Sequence, residues 1–273
     1  MVMRGGWLLL GASATFLSCS NVLGIPSDTL SFCSQPANQG HSYCEDFDVG
    51  DATKRWTFSE AKGGATLAVT SGSDRSAPNL LDLGVPAVTT AGSNAIAGYT
   101  VEFDGATFTG LHIEADVRFV TPDGGPMGQV SGGFLIVVDK SGGCVGLGLG
   151  GGGNGVPVGI GAVTFPESNG CSALTGGAAS ASPTGTALAL APAPNQWFHI
   201  IVEVLPDRAG LAGAGTLTFD IVGVPGSTPT VHLAAGTLVA SGIPLAGFAA
   251  EVEGPSGPLE VQYDNVTIDV VSP

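Results

Sequence analysis

The segment Leu111–Val120 (LHIEADVRFV) constrains the fold more than any other stretch, because apolar and polar residues alternate in it without interruption. A period of two is typical of a β-strand with one face in a core and the other toward solvent or a ligand. Ionisable side chains are costly to bury, so the polar face is predicted to be hydrated or to form a site. That face carries His112, Glu114, Asp116 and Arg118.

A second alternating segment, Gln196–Leu205, has an apolar face opposite Trp197, His199 and Glu203. The chain contains 44 Gly and 18 Pro among 273 residues, and these residues favour turns over helix interiors. No helical pattern of useful length follows the first eighteen residues, whereas about a dozen short strands are indicated. The prediction is therefore an all-β fold, a two-sheet antiparallel jelly-roll sandwich, preceded by an N-terminal signal segment.

The charge balance excludes one class of partner. The formal net charge is −15 with only 8 Lys and Arg. Nucleic-acid binding needs clustered cations to neutralise phosphate, so no nucleic-acid partner is expected. Electrostatic docking on anionic lipid is disfavoured for the same reason, which leaves a covalent lipid anchor as the expected contact with a membrane.

The N-terminus predicts such an anchor. Arg4 precedes the apolar run Trp7–Leu17, which has the length of a signal-peptide core and is too short to span a bilayer. The following Ser18-Cys19 pair resembles the lipobox of bacterial lipoproteins, in which the cysteine is lipidated. The resemblance implies a signal peptide over 1–18, lipidation of Cys19, a tether over 19–40 and a sandwich domain over 41–273. The expected location is the bacterial envelope, anchored to the outer membrane; the alternative is an ordinary secretory signal and a secreted protein.

Four further cysteines follow Cys19, an even number in a compartment that would be oxidising. They are Cys33, Cys44, Cys144 and Cys171. Three pairings are possible, and proximity in sequence favours Cys33–Cys44 and Cys144–Cys171. A zinc site is the alternative, but the sequence contains no CxxC and no paired histidine spacing.

Three segments resemble the concanavalin A-like lectin/glucanase superfamily. They are CEDFD (44–48), the W-x-H strand (196–204) and the terminal YDNVTI (263–268), with the LHIEADVRF strand where that family places a central strand. The resemblance implies two antiparallel sheets with a concave face that often holds carbohydrate. It also implies a structural calcium ion shared between the last strand and the opening acids, with Glu45, Asp46, Asp48 and Asp264 as ligands.

The same resemblance raises the question of an enzyme. Laminarinase-like members carry E-x-D-x-x-E on a central strand, and Glu114-x-Asp116 matches the first two positions. The third position falls on Phe119, so the second glutamate that a retaining mechanism needs is absent. Arg118 would also lower the pKa of nearby carboxyls, whereas a general acid needs a raised one. Enzymatic activity is therefore uncertain and less expected than its absence.

The favoured function is a cell-surface lipoprotein with a non-catalytic binding module for a polysaccharide or other glycan. Sugar sites combine an aromatic side chain with a few polar groups, and the candidates are Glu114, Asp116, Arg118, Trp197, His199 and Glu203. The alternative is a structural or protein-contact envelope lipoprotein, in which these charges form only cross-strand pairs. A degenerate or active glycoside hydrolase ranks third.

Overall fold

The computed structural model describes residues 31–48, 52–72, 78–103, 108–121, 127–139, 144–152, 157–165, 187–207, 215–222, 229–233 and 244–271. The predicted signal peptide over 1–18, lipidation at Cys19, the first part of the tether and Cys171 lie outside these ranges. Within them, no helix combines the length and the apolar character needed to cross a membrane.

Fifteen strands form in the described part of the chain. In order they are β1 Tyr43–Glu45, β2 Phe58–Lys62, β3 Thr66–Ser71, β4 Asn79–Val85, β5 Asn94–Glu102, β6 Gly110–Val120, β7 Val130–Asp139, β8 Cys144–Gly151, β9 Gly159–Phe165, β10 Ala187–Leu190, β11 Phe198–Leu205, β12 Thr216–Ile221, β13 Thr230–His232, β14 Pro244–Glu253 and β15 Leu259–Val271. Short 3-10 turns occupy Phe32–Ser34, Pro36–Asn38 and Ala52–Arg55.

The strands build two antiparallel sheets packed as a jelly-roll sandwich, which confirms the predicted fold class. The first sheet has the order β13-β12-β11-β6-β15-β4-β3, with β1 beside the second half of β15. The second sheet has the order β10-β9-β8-β7-β14-β5-β2. The alternating strand β6 is central in the first sheet, between β11 and β15.

The alternation in β6 and β11 is explained by the core between the two sheets. Leu111, Ile113 and Ala115 of β6 are fully buried there, as are Ile200 and Val202 of β11. Each alternate residue therefore points away from the core, onto the outer face of the first sheet. This outer face is called the polar face below.

A disulfide holds the segment before β1 to the sandwich. Cys33 bonds to Cys44 of β1, with the two Cα atoms 5.6 Å apart, which confirms one of the two predicted pairings. The backbone N–H of Cys33 also donates to Asp46 Oδ2 at 2.9 Å. Farther along, the Asp269 carboxylate of β15 lies 2.7 Å from His41 Nδ1 and accepts from the Ser42 N–H. Part of the predicted tether is thus fixed against the first sheet.

Replacing Cys33 and Cys44 together by serine is expected to lower the free energy of unfolding by about 3 kcal/mol, since the bond closes a loop of about a dozen residues in the unfolded chain. Chemical denaturation of the oxidised protein and the double variant measures the difference. Equal stabilities would contradict a structural role for this bond.

Candidate functional site

The polar face of the first sheet gathers side chains from its two central strands. Asp116 of β6 lies opposite His199 of β11, and His112 lies opposite Glu203. Directly opposite residues in an antiparallel pair project on the same side and contact each other. The alternation in two separate segments therefore assembles one cluster.

The cluster is a continuous chain of hydrogen bonds, called the acid–histidine network below. His112 Nδ1 lies 2.5 Å from Glu203 Oε1, and His112 Nε2 lies 2.7 Å from Glu114 Oε1. The other Glu114 oxygen lies 3.1 Å from His199 Nε2, and His199 Nδ1 lies 3.1 Å from Asp116 Oδ1. The network runs from an exposed end at Glu203, whose side chain is 51% exposed, to a buried end at Asp116, at 5%.

Both imidazoles in this network are best described as imidazolium ions. Each ring nitrogen of His112 and His199 faces a carboxylate oxygen, which can only accept a hydrogen bond, so all four contacts are hydrogen bonds when both rings are doubly protonated. The bond to Asp116 is the main cause that raises the pKa of His199. Burial lowers the pKa of His112, but the bonds to Glu114 and Glu203 outweigh it and leave the pKa raised.

Glu114 shows the reciprocal effect. Partial burial acts to raise its pKa, and the two histidines more than offset this, so the pKa lies below its usual value. While both rings are doubly protonated, neither histidine offers a lone pair to a metal ion or to a substrate proton. In that protonation state the network offers charged hydrogen-bonding groups and no free imidazole base.

The buried end of the network rests on a β-bulge in β15. Asp264 lies opposite Asp116 and Thr267 opposite Glu114, so β15 has one more residue than β6 between these pairs. Asn265 takes the left-handed conformation there, with φ 50°, and its Nδ2 donates to Asp116 Oδ2 at 2.8 Å. Asparagine tolerates this conformation better than other residues with a side chain, apart from aspartate. The bulge thus turns an amide toward the network.

The next part of the polar face is organised by Gln262. Its Oε1 accepts from Arg118 Nε at 2.9 Å and Nη2 at 2.6 Å, and its Nε2 lies 3.2 Å from Glu260 Oε1 and 3.4 Å from Asp82 Oδ2. The Arg118 guanidinium carbon lies 4.6 Å from the centre of the Trp197 ring, a cation–π contact. One neutral amide thereby links a cation to two carboxylates.

A pocket of about 380 Å³ opens where β4, β6 and β15 reach one end of the sandwich. It is called the end pocket below, and its lining includes Gly84, Pro86, Val120, Met127, Pro258 and Glu260. Gly84 lies opposite Glu260, and Glu260 lies opposite Val120, so the next row of the polar face borders this pocket. The buried Val85, Leu259 and Val130, the last from β7 of the second sheet, line its inner side.

The six predicted ligand residues all lie on or beside the polar face, but in two groups. Glu114, Asp116, His199 and Glu203 belong to the acid–histidine network, while Arg118 and Trp197 contact each other. The sequence analysis placed His112 on the polar face but not among the ligand residues, and it did not include Asn265, Gln262, Asp82 or Glu260. Polar and apolar residues also alternate at the start of Leu259–Val271, as they do in β6. This pattern could have assigned Glu260 and Gln262 to the polar face.

Each of the four predicted calcium ligands accepts a hydrogen bond from a backbone N–H, Asp46 from that of Cys33. Glu45 accepts from the Phe47 N–H at 3.0 Å, Asp48 from the Asn79 N–H at 2.7 Å, and Asp264 from the Asn265 N–H at 2.8 Å. No group of three metal-ligating side chains is found within the described ranges. Calcium binding stays a prediction, which a calcium titration followed by the unfolding midpoint would test.

The network is expected to stabilise the fold most between about pH 4.5 and 6.5, the ordinary pKa values of glutamate and histidine. Above this window, stabilisation from the histidines is lost as pH rises through their raised pKa values. Below it, stabilisation from Glu114 is lost as pH falls through its lowered pKa. The measurement is the unfolding midpoint against pH for the native protein and a His112→Gln/His199→Gln variant, whose difference should peak in this window. A pH-independent difference would refute the charged network.

Comparison with known proteins found no matching family model and no curated protein of similar sequence. Among solved structures, the chain is similar to the endo-β-1,4-glucuronan lyase of Trichoderma reesei, with TM-score 0.56, 10% identity and coverage of 85% of this chain and 96% of that one. It is also similar to the PL-14 alginate lyase of Aplysia kurodai, with TM-score 0.54, 11% identity and coverage of 84% and 99%. The cellulose-induced protein Cip1 gives TM-score 0.50, 14% identity and coverage of 83% and 96%. These similarities show a shared jelly-roll fold.

Proposed function

We propose that this protein is a non-catalytic glycan-binding module whose ligand lies along the polar face of the first sheet and is not a polyuronate. The observation that carries the proposal is the acid–histidine network, which presents hydrogen-bonding carboxylates along adjacent central strands. Trp197 adds the aromatic surface that sugar sites commonly combine with a few polar groups. From His112 to Val120 the face extends about 26 Å at ~3.3 Å per residue, enough for several sugar rings.

Two observations favour binding over cleavage. A lyase that acts on uronates needs a base to remove a proton next to the carboxylate, and both ring nitrogens of each histidine in the network are already engaged by carboxylates of this protein. A polyuronate would also approach a chain of net charge −15, with Asp82 and Glu260 on the same face. The names of the two similar lyases therefore support carbohydrate as the ligand class of this protein. They do not support polysaccharide cleavage by it.

We further propose that the module is anchored to a bacterial outer membrane through a lipid on Cys19. The support is the apolar run ending at Ser18-Cys19. A Cys19→Ser variant expressed in a bacterial host should then appear in the soluble fraction, whereas the native chain should sediment with membranes. Equal distribution of the two proteins would rule out the anchor.

Affinity electrophoresis tests the binding function. The native protein should be retarded in gels that contain at least one neutral or amino-sugar polysaccharide, such as a β-glucan, xylan, mannan or chitosan, and should not be retarded by alginate or polyglucuronate. A Glu114→Gln/Glu203→Gln variant should lose the retardation. Glu253→Gln, the same type of change on β14 of the second sheet, is the matched control and should keep it.

Two results would overturn the proposal. One is the absence of retardation by every neutral and amino-sugar polysaccharide. The other is the release of unsaturated sugar ends from a polyuronate, detected by ultraviolet absorbance, because it would show that the protein is a lyase.

A further inference from the structure

The end pocket continues the face on which the glycan is proposed to lie. Thr66, Gly84, Glu260 and Val120 follow one another across β3, β4, β15 and β6 in direct register. The neighbouring row, two positions away on β4, β15 and β6, consists of Asp82, Gln262 and Arg118. A polymer that follows the polar face would therefore reach the end pocket with its terminal residue.

The floor of the pocket depends on a glycine. A Cβ added at Gly84 would come within 2.8 Å of Thr66 Oγ1, so a side chain there would displace the threonine hydroxyl and occupy part of this row. Glycine leaves room between Thr66 and Glu260, and a pocket of about 380 Å³ falls within the range that holds small ligands.

The lining of the pocket combines apolar walls with one charge. Pro86, Val120, Met127 and Pro258 supply apolar surface, against which the C–H faces of a sugar can pack. Glu260 is the one ionisable side chain among the described lining residues, and no lysine or arginine lines the pocket with it. A ligand that fits this lining has an apolar face and a group that donates hydrogen bonds to a carboxylate.

The electrostatics favour a cationic donor over a neutral one. Burial raises the pKa of Glu260, and the nearby Asp82 carboxylate raises it further, against the opposing effects of Arg118 and Gln262. Burial likewise raises the pKa of Asp82 despite its bond to Gln262. An additional positive charge beside these two carboxylates would therefore stabilise their ionised forms.

We propose that the end pocket binds a protonated amino group on the terminal sugar of the ligand, so that the glycan is an amino-sugar polymer. The proposal rests on the proposed function, since it assigns the substrate class of the same face. Hydrogen bonds to charged partners are stronger than neutral ones, so the charged amine should bind at least about tenfold tighter than an equivalent amide or hydroxyl.

Isothermal titration with three β-1,4-linked oligosaccharides of equal length tests this assignment. They differ only at C2 of each sugar, which carries a hydroxyl in the glucose series, an acetamido group in the N-acetylglucosamine series and an amine in the glucosamine series. The native protein should bind the glucosamine oligosaccharide at least about tenfold more tightly than the other two, measured at about pH 6 and physiological salt.

Glu260→Gln is the test variant, because glutamine keeps an oxygen to accept from Gln262 while removing the charge. The variant should lose the preference and bind all three oligosaccharides with similar affinity, whereas Glu253→Gln should keep the preference. Equal binding of the three by the native protein, or a preference that survives Glu260→Gln, would overturn the amino-sugar assignment and leave the glycan proposal standing. Binding of none of the three by the native protein would overturn the amino-sugar assignment. The glycan proposal would then be decided separately, by the full set of neutral and amino-sugar polysaccharides.

Discussion

Tyr263→Ala is expected to destabilise the protein by about 3–5 kcal/mol, the range for removing a large buried aromatic side chain. Tyr263 lies on β15 of the first sheet and is fully buried. Its ring lies edge-on against Phe248 of the second sheet, with ring centres 4.9 Å apart. Its hydroxyl lies 2.5 Å from the Phe134 carbonyl oxygen and 2.8 Å from that of Ala249, both on the second sheet. One side chain therefore joins the two sheets by packing and by hydrogen bonding.

Tyr263→Phe separates these two contributions. The ring remains, while the two carbonyls lose their shared donor, so the expected cost is about 1–2 kcal/mol. Urea denaturation of the native protein and both variants measures the series. Equal losses for the phenylalanine and alanine variants would contradict the packing role assigned to the ring.

Asp116→Ala is expected to lower the free energy of unfolding by about 2–4 kcal/mol, because it leaves two donors without an acceptor. These donors are Asn265 Nδ2, in the buried bulge, and His199 Nδ1. The pKa of His199 should also fall toward its ordinary value, since the bond to Asp116 is the main cause of its raised pKa. Denaturation gives the first quantity and an NMR titration of the imidazole gives the second.

Asp269→Ala provides the matched control on the same sheet. Asp269 also pairs with a histidine, His41, but both side chains are partly exposed, at 33% and 24%. An exposed pair contributes little, so the expected loss is about 1 kcal/mol or less. If Asp269→Ala costs as much as Asp116→Ala, burial of the network is not the source of its stability.

Much of the fold could be predicted from the sequence, because an unbroken period of two over β6 and β11 determines which residues face the core. The predicted segments Leu111–Val120 and Gln196–Leu205 match the observed ends of β6 and β11 to within two residues. Tyr43–Glu45 and Thr230–His232 were not predicted as strands, since three residues are too few to show a period. Their pairing depends on neighbours far away in the sequence.

The candidate site was harder to predict for the same reason. The polar residues of β6 and β11 could be assigned to one face, but their register could not, so the alternation of histidines and carboxylates emerged only in the structure. The bulge at Asn265 reverses which residues of β15 face outward. A search for strict alternation therefore fails to identify the outward-facing residues after this position. Buried Asp116 also departs from the prediction of a hydrated face, because the amide of Asn265 supplies a partner that the sequence did not reveal.

The most direct test of the proposed function is a crystal structure of the protein with a bound oligosaccharide that retards it in affinity gels. We expect sugar density along the outer face of β11, β6 and β15, with ring hydroxyls within hydrogen-bonding distance of Glu114 and Glu203. Density confined to the second sheet, or a polar face that stays unoccupied at saturating ligand, would contradict the proposed function.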